Sequence, residues 1–307
     1  MVMTAALPEG ITVFERGWLS ANNVLFHGDG ETTLIDSGYC THAEQSLELV
    51  SRALKGRPLD QLINTHLHSD HCGGNAELQL YYPLMETRIP PGLEQQVRNW
   101  DPVALTYAPT GQQCPRFNIS SVIEPGKEIA LGNSSWQIHG SPGHDPHSVI
   151  LFEPRSRALI SGDSLWENGF GVIFQELEGE RAFYEVAGTL DLIESLDPAV
   201  VIPGHGKVFT HVSQSLAAAR RRLEIFRHDP LKHASHAAKV LLKFKLLELQ
   251  RSHLTALTHW AEATPYFNLV HARFFCDVEK STWITQLAAD LVRSGAARRE
   301  GAYLQNR

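Results

Sequence analysis

Ten consecutive residues constrain this chain more than any others: Thr65, His66, Leu67, His68, Ser69, Asp70, His71, Cys72, Gly73 and Gly74. Three imidazoles and a carboxylate in the pattern HxHxDH are costly to bury unless something binds them. With 16 histidines in 307 residues, the odds of that four-residue match arising by chance are about two in a thousand over the chain. In a tight loop, His66 and His68 can turn their rings towards one point while Asp70 and His71 face a neighbouring one. Imidazole nitrogen and carboxylate oxygen are donors that zinc accepts at about 2.0–2.2 Å. One loop does not complete such a site, so further donors are expected from elsewhere. Three later segments have the right form, each a His or acidic residue in a glycine-containing turn at a strand end. They are Pro142-Gly143-His144, Gly162-Asp163-Ser164 and Pro203-Gly204-His205-Gly206.

The text around these segments reads as alternating strands and helices. Residues 11–37 are predicted strands with a hairpin turn at Gly28-Asp29-Gly30. Leu47, Val50, Ala53 and Leu54 recur at helical spacing, and a second helix is expected near 181–196. Residues 83–120, rich in Pro and Gly, read as a surface excursion. Beyond Thr210 the pattern becomes helical, with Ser252 and Ser281 as expected N-caps, and the end of the chain reads as a hairpin turning at Glu300-Gly301. Charge divides the same way. Residues 214–307 hold 15 Lys and Arg against 8 Asp and Glu, which leaves 12 against 26 for residues 1–213. That asymmetry predicts two units with different jobs, residues 1–212 and 213–307.

Composition excludes disorder and collagen-like or low-complexity scaffolds: 43% of residues are hydrophobic and 20% charged. The four cysteines form no CxxC, which argues against a disulfide framework or a zinc ribbon. The first basic residue is Arg16, no signal-peptide n-region precedes it, and no apolar run approaches a bilayer's span. A soluble cytoplasmic protein that does not enter a membrane is the expectation.

The ordered set HxHxDH, then His144, Asp163 and His205 in their turns, together with LIDSG at Leu34–Gly38, resembles the metallo-β-lactamase-fold superfamily of metallo-hydrolases. The resemblance covers about residues 11–212. It implies an α/β fold, the αββα sandwich of two facing sheets with helices outside. It implies a pair of divalent ions, zinc with iron or manganese as alternatives. His66, His68 and His144 would hold one ion, Asp70, His71 and His205 the second, and Asp163 would bridge them. Asp36 resembles the aspartate that supports the metal loop. The chemistry that follows is hydrolysis by a hydroxide held between the ions, with Asp70 orienting it as the catalytic residue. Dinuclear β-lactamases of this fold usually carry cysteine where this chain has Asp163. The aspartate resembles instead hydroxyacylglutathione hydrolases, lactonases, phosphodiesterases and nucleases.

A small-molecule ester, thioester or lactone is therefore the expected substrate, with Trp166 and Phe170 as candidate contacts. Asp145 and His147 add polar groups near the ions, with His147 read as a surface residue and Cys72 as a buried small one. No Arg or Lys cluster stands out that would clamp a glutathione carboxylate. The C-terminal stretch resembles the small winged-helix-like domain that ends some of these hydrolases, a few of which act on RNA. Two alternatives follow. Lys239, Lys243, Lys245, Arg298 and Arg299 could contact phosphates of a nucleic acid, or the chain could be a non-catalytic ligand sensor. A homodimer through the basic tail is a further expectation.

Overall fold

The computed structural model describes residues 7–307. They fall into two compact units, the residues up to Leu105 with Gln113–Glu224, and Thr106–Gln112 with Ile225–Arg307.

The first unit is built on two sheets. One has six strands in chain order: β1 (Ile11–Phe14), β2 (Asn23–Phe26), β3 (Thr33–Ile35), β4 (Gln61–Ile63), β5 (Glu86–Ile89) and β6 (Ser121–Val122). The first three pair antiparallel and the rest continue in parallel from β3. The other sheet has β7 (Glu128–Leu131), β8 (Ser134–Gly140), β9 (Val149–Glu153), β10 (Ala158–Gly162) and β11 (Val200–Pro203), antiparallel except where β10 lies beside β11.

Strand periodicity explains the layering. Phe26, Ile35 and Ile63 of the first sheet meet Trp136, Ile138, Leu151, Ile160 and Ile202 of the second in one core. Phe26 and Trp136 cross edge to face at 5.4 Å between centroids. The residues one step out of phase, Leu25, Leu34 and Leu62, point to the other face. There they pack with Val50 and Leu54 of helix α1 (Ala43–Leu54) and with Leu78. β9 and β10 are buried along their whole lengths, as near-continuous apolar runs predict for strands covered on both faces. The remaining helices of this unit are α2 (Ser69–Cys72), α3 (Asn75–Tyr81), α4 (Glu94–Asn99), α6 (Phe174–Glu178), α7 (Ala182–Leu196) and most of α8 (Val212–His228), whereas α5 (Tyr107–Thr110) belongs to the second unit. This is the expected αββα sandwich.

The structure differs from the sequence reading in two places. Residues 83–120 contain a sheet strand, β5, whose sequence Glu-Thr-Arg-Ile carries little apolar signal. Its parallel pairing with β4 and β6 makes it a strand. The second difference concerns helix starts in the second unit. Ser252 lies in strand β12 (Arg251–His253), and the next helix, beginning at Leu254, is capped by the His253 ring, which accepts from Thr255 N at 3.3 Å. Ser281 lies inside a helix capped by Glu279, which accepts from Thr282 N at 2.8 Å. A ring nitrogen one residue downstream of Ser252 and a carboxylate two residues upstream of Ser281 took over the role expected of the hydroxyls.

The second unit contains α9 (Pro230–Leu249), α10 (Leu254–Ala263), α11 (Pro265–Phe274) and α12 (Lys280–Arg293), followed by the hairpin β13 (Ala297–Glu300) and β14 (Tyr303–Asn306). β14 also pairs with β12, giving a three-stranded antiparallel sheet. Leu242, Leu257, Phe267, Trp283 and Leu287 are buried in this unit. Among the described residues, no helix is long and apolar enough to cross a membrane.

Candidate metal centre

Strand ends place the polar residues. β3 stops at Ile35, and Asp36 turns the chain with φ of 57°, a left-handed conformation that Asp tolerates better than most residues. The turn aims the Asp36 carboxylate at the end of β4. It accepts from Thr65 N at 2.9 Å, Thr65 Oγ1 at 2.8 Å and His71 Nδ1 at 2.8 Å. Gly73 and Gly74 let the following turn press against Cys40 and Ser37: a Cβ on either would lie 2.6 Å from their backbone atoms. The loop is therefore held from behind by the segment that joins β3 to α1.

Hydrogen bonds at the back of each ring set which nitrogen is bare at the front. His144 donates from Nδ1 to Val172 O at 2.6 Å. His66 Nδ1 lies 3.2 Å from Thr65 Oγ1, whose own proton goes to Asp36. Both rings thus present an unprotonated Nε2, and these approach His68 Nδ1 to 2.8 Å and 3.1 Å. His71, with its Nδ1 proton on Asp36, presents Nε2 towards Asp163 Oδ1 at 3.3 Å; that nitrogen is fully buried and makes no hydrogen bond. His205 Nε2 lies 3.0 Å from Asp70 Oδ2.

Two groups result: the donor atoms of His66, His68 and His144 lie within 4.8 Å of one another, as do those of Asp70, His71, Asp163 and His205. Asp163 stands between them, with Oδ2 3.5 Å from His144 Nε2 and 3.8 Å from His205 Nε2. The seven residues come from the ends of β4, β8, β10 and β11. Glycine makes the convergence possible. A Cβ at Gly204 would lie 2.2 Å from Asp163 Oδ1, and one at Gly171 would lie 2.4 Å from His144 Nδ1.

The electrostatics fit cations at both points. Bare ring nitrogens about 3 Å apart repel unless a positive charge lies among them. Burial, reinforced by the neighbouring rings, holds His66 well below its ordinary pKa and brings His144 down to about 4. Both stay lone-pair donors at neutral pH. Burial opposes ionisation of Asp163, yet the nearby His205 and His71 outweigh it and hold the carboxyl well below its usual range. Burial likewise opposes ionisation of Asp70, but the His205 hydrogen bond leaves its pKa lowered. For His71 burial again works against charge, but the carboxylates of Asp163 and Asp36 raise its pKa well above the ordinary value. A divalent ion at that point would satisfy the same carboxylates in place of the proton.

Other expected residues occupy different surroundings. Trp166 is half-buried and donates from Nε1 to Asp163 Oδ1 at 3.1 Å. Phe170 is buried and lines a small cleft with Pro142, His144, Asp163 and Val186. Asp145 is buried, with Oδ2 3.8 Å from His68 Nε2, while His147 is half-buried against Gly92. Cys72 is buried, with its thiol against Leu67 O and His68 O. In the second unit the five basic side chains expected to meet phosphates have internal partners. Lys243 Nζ donates to Ala296 O and Asn306 Oδ1, and Arg299 Nε to Gly301 O. Lys239, Lys245 and Arg298 pair with Asp290, Glu248 and Glu300.

Three contributors had no role assigned from the sequence, although Thr65 opens the HxHxDH stretch. The side-chain amide of Asn22 donates to Pro203 O and Gly206 O, bracing the His205 turn. Thr65 relays the Asp36 carboxylate to His66. Trp18 stacks on the His205 ring, centroids 5.5 Å apart and planes at 11°. Each depends on a pairing of distant segments that only the fold brings together.

Comparison with known proteins agrees with this geometry. The family model described as "Metallo-beta-lactamase superfamily" matches residues 16–205. Hydroxyacylglutathione hydrolases from Brucella anthropi and Methylococcus capsulatus are 28% and 26% identical over 188 and 196 residues, 60% and 63% of this chain. The chain spans 59% and 61% of the length of those two relatives. Among solved structures, a metallo-beta-lactamase family protein from Thermus thermophilus aligns with a TM-score of 0.57 at 17% identity, covering 98% of this chain and 100% of that one. A beta-lactamase domain protein from Burkholderia ambifaria gives 0.57 at 19% identity, covering 98% and 94%. At these identities the structural likeness is one of fold.

Proposed function

The chain belongs to the metallo-beta-lactamase superfamily, and from that premise we propose that it is a metal-dependent hydrolase of a small ester, thioester or lactone. The observation that carries the proposal is the Asp163 carboxylate standing between two adjacent clusters of His and Asp donor atoms. His66, His68 and His144 would hold one divalent ion and Asp70, His71 and His205 the second, with Asp163 shared. Zinc suits the imidazole and carboxylate donors, and iron or manganese would also be accepted. Bound ions would supply Lewis acidity at the substrate oxygen and lower the pKa of water from 15.7 to about 7.

The chain's own residues do the positioning. Asp70, kept ionised beside His205, accepts a hydrogen bond from the attacking water and aims its lone pair. Asp36 and Val172 O hold protons on the far nitrogens of His71 and His144, so the near nitrogens are the ones turned towards Asp163 and the other donors. The relatives named hydroxyacylglutathione hydrolase favour an acyl substrate over a phosphodiester. These residues all lie within residues 1–212, the stretch proposed as the catalytic domain, with 213–307 as a separate C-terminal domain.

Elemental analysis of protein purified without added metal tests the proposal, paired with a panel of esters, thioesters and lactones. About two ions per chain and turnover of one substrate class are expected. Folded protein that holds no metal, even after titration with zinc, iron and manganese, would overturn it.

A further inference from the structure

The aromatic residues around His205 go beyond what ion binding requires. Trp18 is 55% exposed. Its indole lies flat on His205, and Trp166 closes the corner, edge-on to Trp18 at 5.3 Å and to His205 at 5.4 Å. Exposure alone does not set Trp18 apart from other surface side chains; its stacking on a residue of the second cluster does. Its position is also built in. The segment after Trp18 is tied to the two turns of the second cluster, by Ala21 N to Asp70 O at 2.9 Å and by Asn22 N to Gly204 O at 2.7 Å. Trp166 is fixed from the other side by its Nε1 bond to Asp163 and its backbone bond to Gly169 O at 2.7 Å. Two indoles are thus anchored through the turns of the two clusters, and one of them is more than half exposed.

The other flank of the centre has matching chemistry. The small cleft beside His144 and Asp163 is lined by Pro142, Phe170, Val186 and Thr189, with no Lys or Arg among its lining residues. The first 213 residues carry more than twice as many acidic as basic side chains. Apart from the ions themselves, a polyanionic substrate finds no cationic side chain lining the cleft, and Arg222 lies 5.8 Å from the centre of the Phe170 ring. A neutral, flat, apolar group finds an indole surface.

We propose that Trp18 and Trp166 form an aromatic lip that determines specificity, selecting substrates with a flat apolar substituent on the scissile carbonyl or its leaving group. This rests on the hydrolase reading, and the test separates the two. The metal-loaded full chain is compared with Trp18→Ala and Trp18→Phe on two matched ester series, one varying acetyl against phenylacetyl, the other methyl against benzyl leaving group. Binding of phenylacetate and acetate is followed by calorimetry. Stacking of this kind is worth about tenfold. The wild type should therefore favour the aryl member in at least one series, and bind phenylacetate over acetate, by about that factor. Trp18→Ala should abolish both preferences and Trp18→Phe restore most of them. Because Trp18 is largely exposed, the Ala variant is expected to fold and retain its metal, which elemental analysis checks. Turnover with no aryl preference, or with a preference that survives Trp18→Ala, overturns the lip and leaves the hydrolase standing. Selective phenylacetate binding lost in Trp18→Ala, without turnover of any ester, thioester or lactone, supports the lip and sinks the hydrolase.

Discussion

The two donor clusters touch, with the rings of His66 and His71 only 3.9 Å apart between centroids, yet they are made differently. The first consists of three imidazoles kept neutral by burial. The second holds two imidazoles among carboxylates, with Asp70 and Asp163 in the cluster and Asp36 behind it. A neutral cluster depends on lone pairs alone, and a charged one adds Coulomb attraction that water screens poorly at a buried site. The two positions should therefore differ in how they lose an ion, although they share Asp163.

Removing the shared residue should have the largest effect. Asp163→Ala deletes the carboxylate that reaches both clusters and leaves His71 Nε2 buried without its neighbour. We expect hydrolysis to fall by on the order of 10³-fold or more, the scale of losing a principal electrostatic element. Metal content should drop from about two to one or fewer. A variant that keeps two ions and measurable turnover would show that the clusters are independent.

Next in size is the contrast between His144→Ala and His205→Ala. Each removes one donor from one cluster only. Titration with zinc should show His144→Ala losing the first cluster's ion while the carboxylate-rich cluster still fills. His205→Ala should weaken the second without emptying it, since Asp70, His71 and Asp163 remain. Equal losses in both variants would erase the proposed asymmetry.

Asp36→Asn tests the support behind the loop. The carboxylate holds the His71 ring directly, but reaches His66 only through Thr65. Supporting residues of this kind are worth about 10–100-fold in metal affinity. That loss should fall mainly on the second cluster, with a smaller change at the first.

How much of this was legible in advance follows from where each signal resides. The seven donors are readable because each sits in a short local word, and glycines such as Gly204 mark turns where the backbone must come within reach of a side chain. The sandwich is readable because β9 and β10 are apolar over most of their length and β8 alternates. Strand β5 is not, since its Glu86 and Arg88 are strand residues only by virtue of their pairing with β4. Trp18 and Asn22 are not, because their partners lie near residue 205 and no local pattern links them. The basic side chains of the tail give the converse case. Lys243 looks available as a charge in the sequence, yet it fastens the C-terminal hairpin by donating to Ala296 O and Asn306 Oδ1.

The smallest effect, a few degrees in melting temperature, separates the clusters by pH in the metal-free protein. His66 and His144 have folded-state pKa values below the ordinary 6.5, that of His144 at about 4. As pH falls from 6.5 towards 4, the unfolded chain takes up protons on these residues while the folded chain does not, so acidification destabilises the fold. His71 behaves oppositely. Its folded-state pKa is raised by Asp163 and Asp36 against the effect of burial, so its contribution is complete below 6.5 and is lost as pH rises through the folded value. Chelator-treated wild type should thus lose stability on both sides of neutrality. His144→Gln should flatten the acid limb and His71→Gln the alkaline limb, each leaving the other in place. Melting curves that respond to pH in the same way in both variants would mean the two clusters share one electrostatic environment.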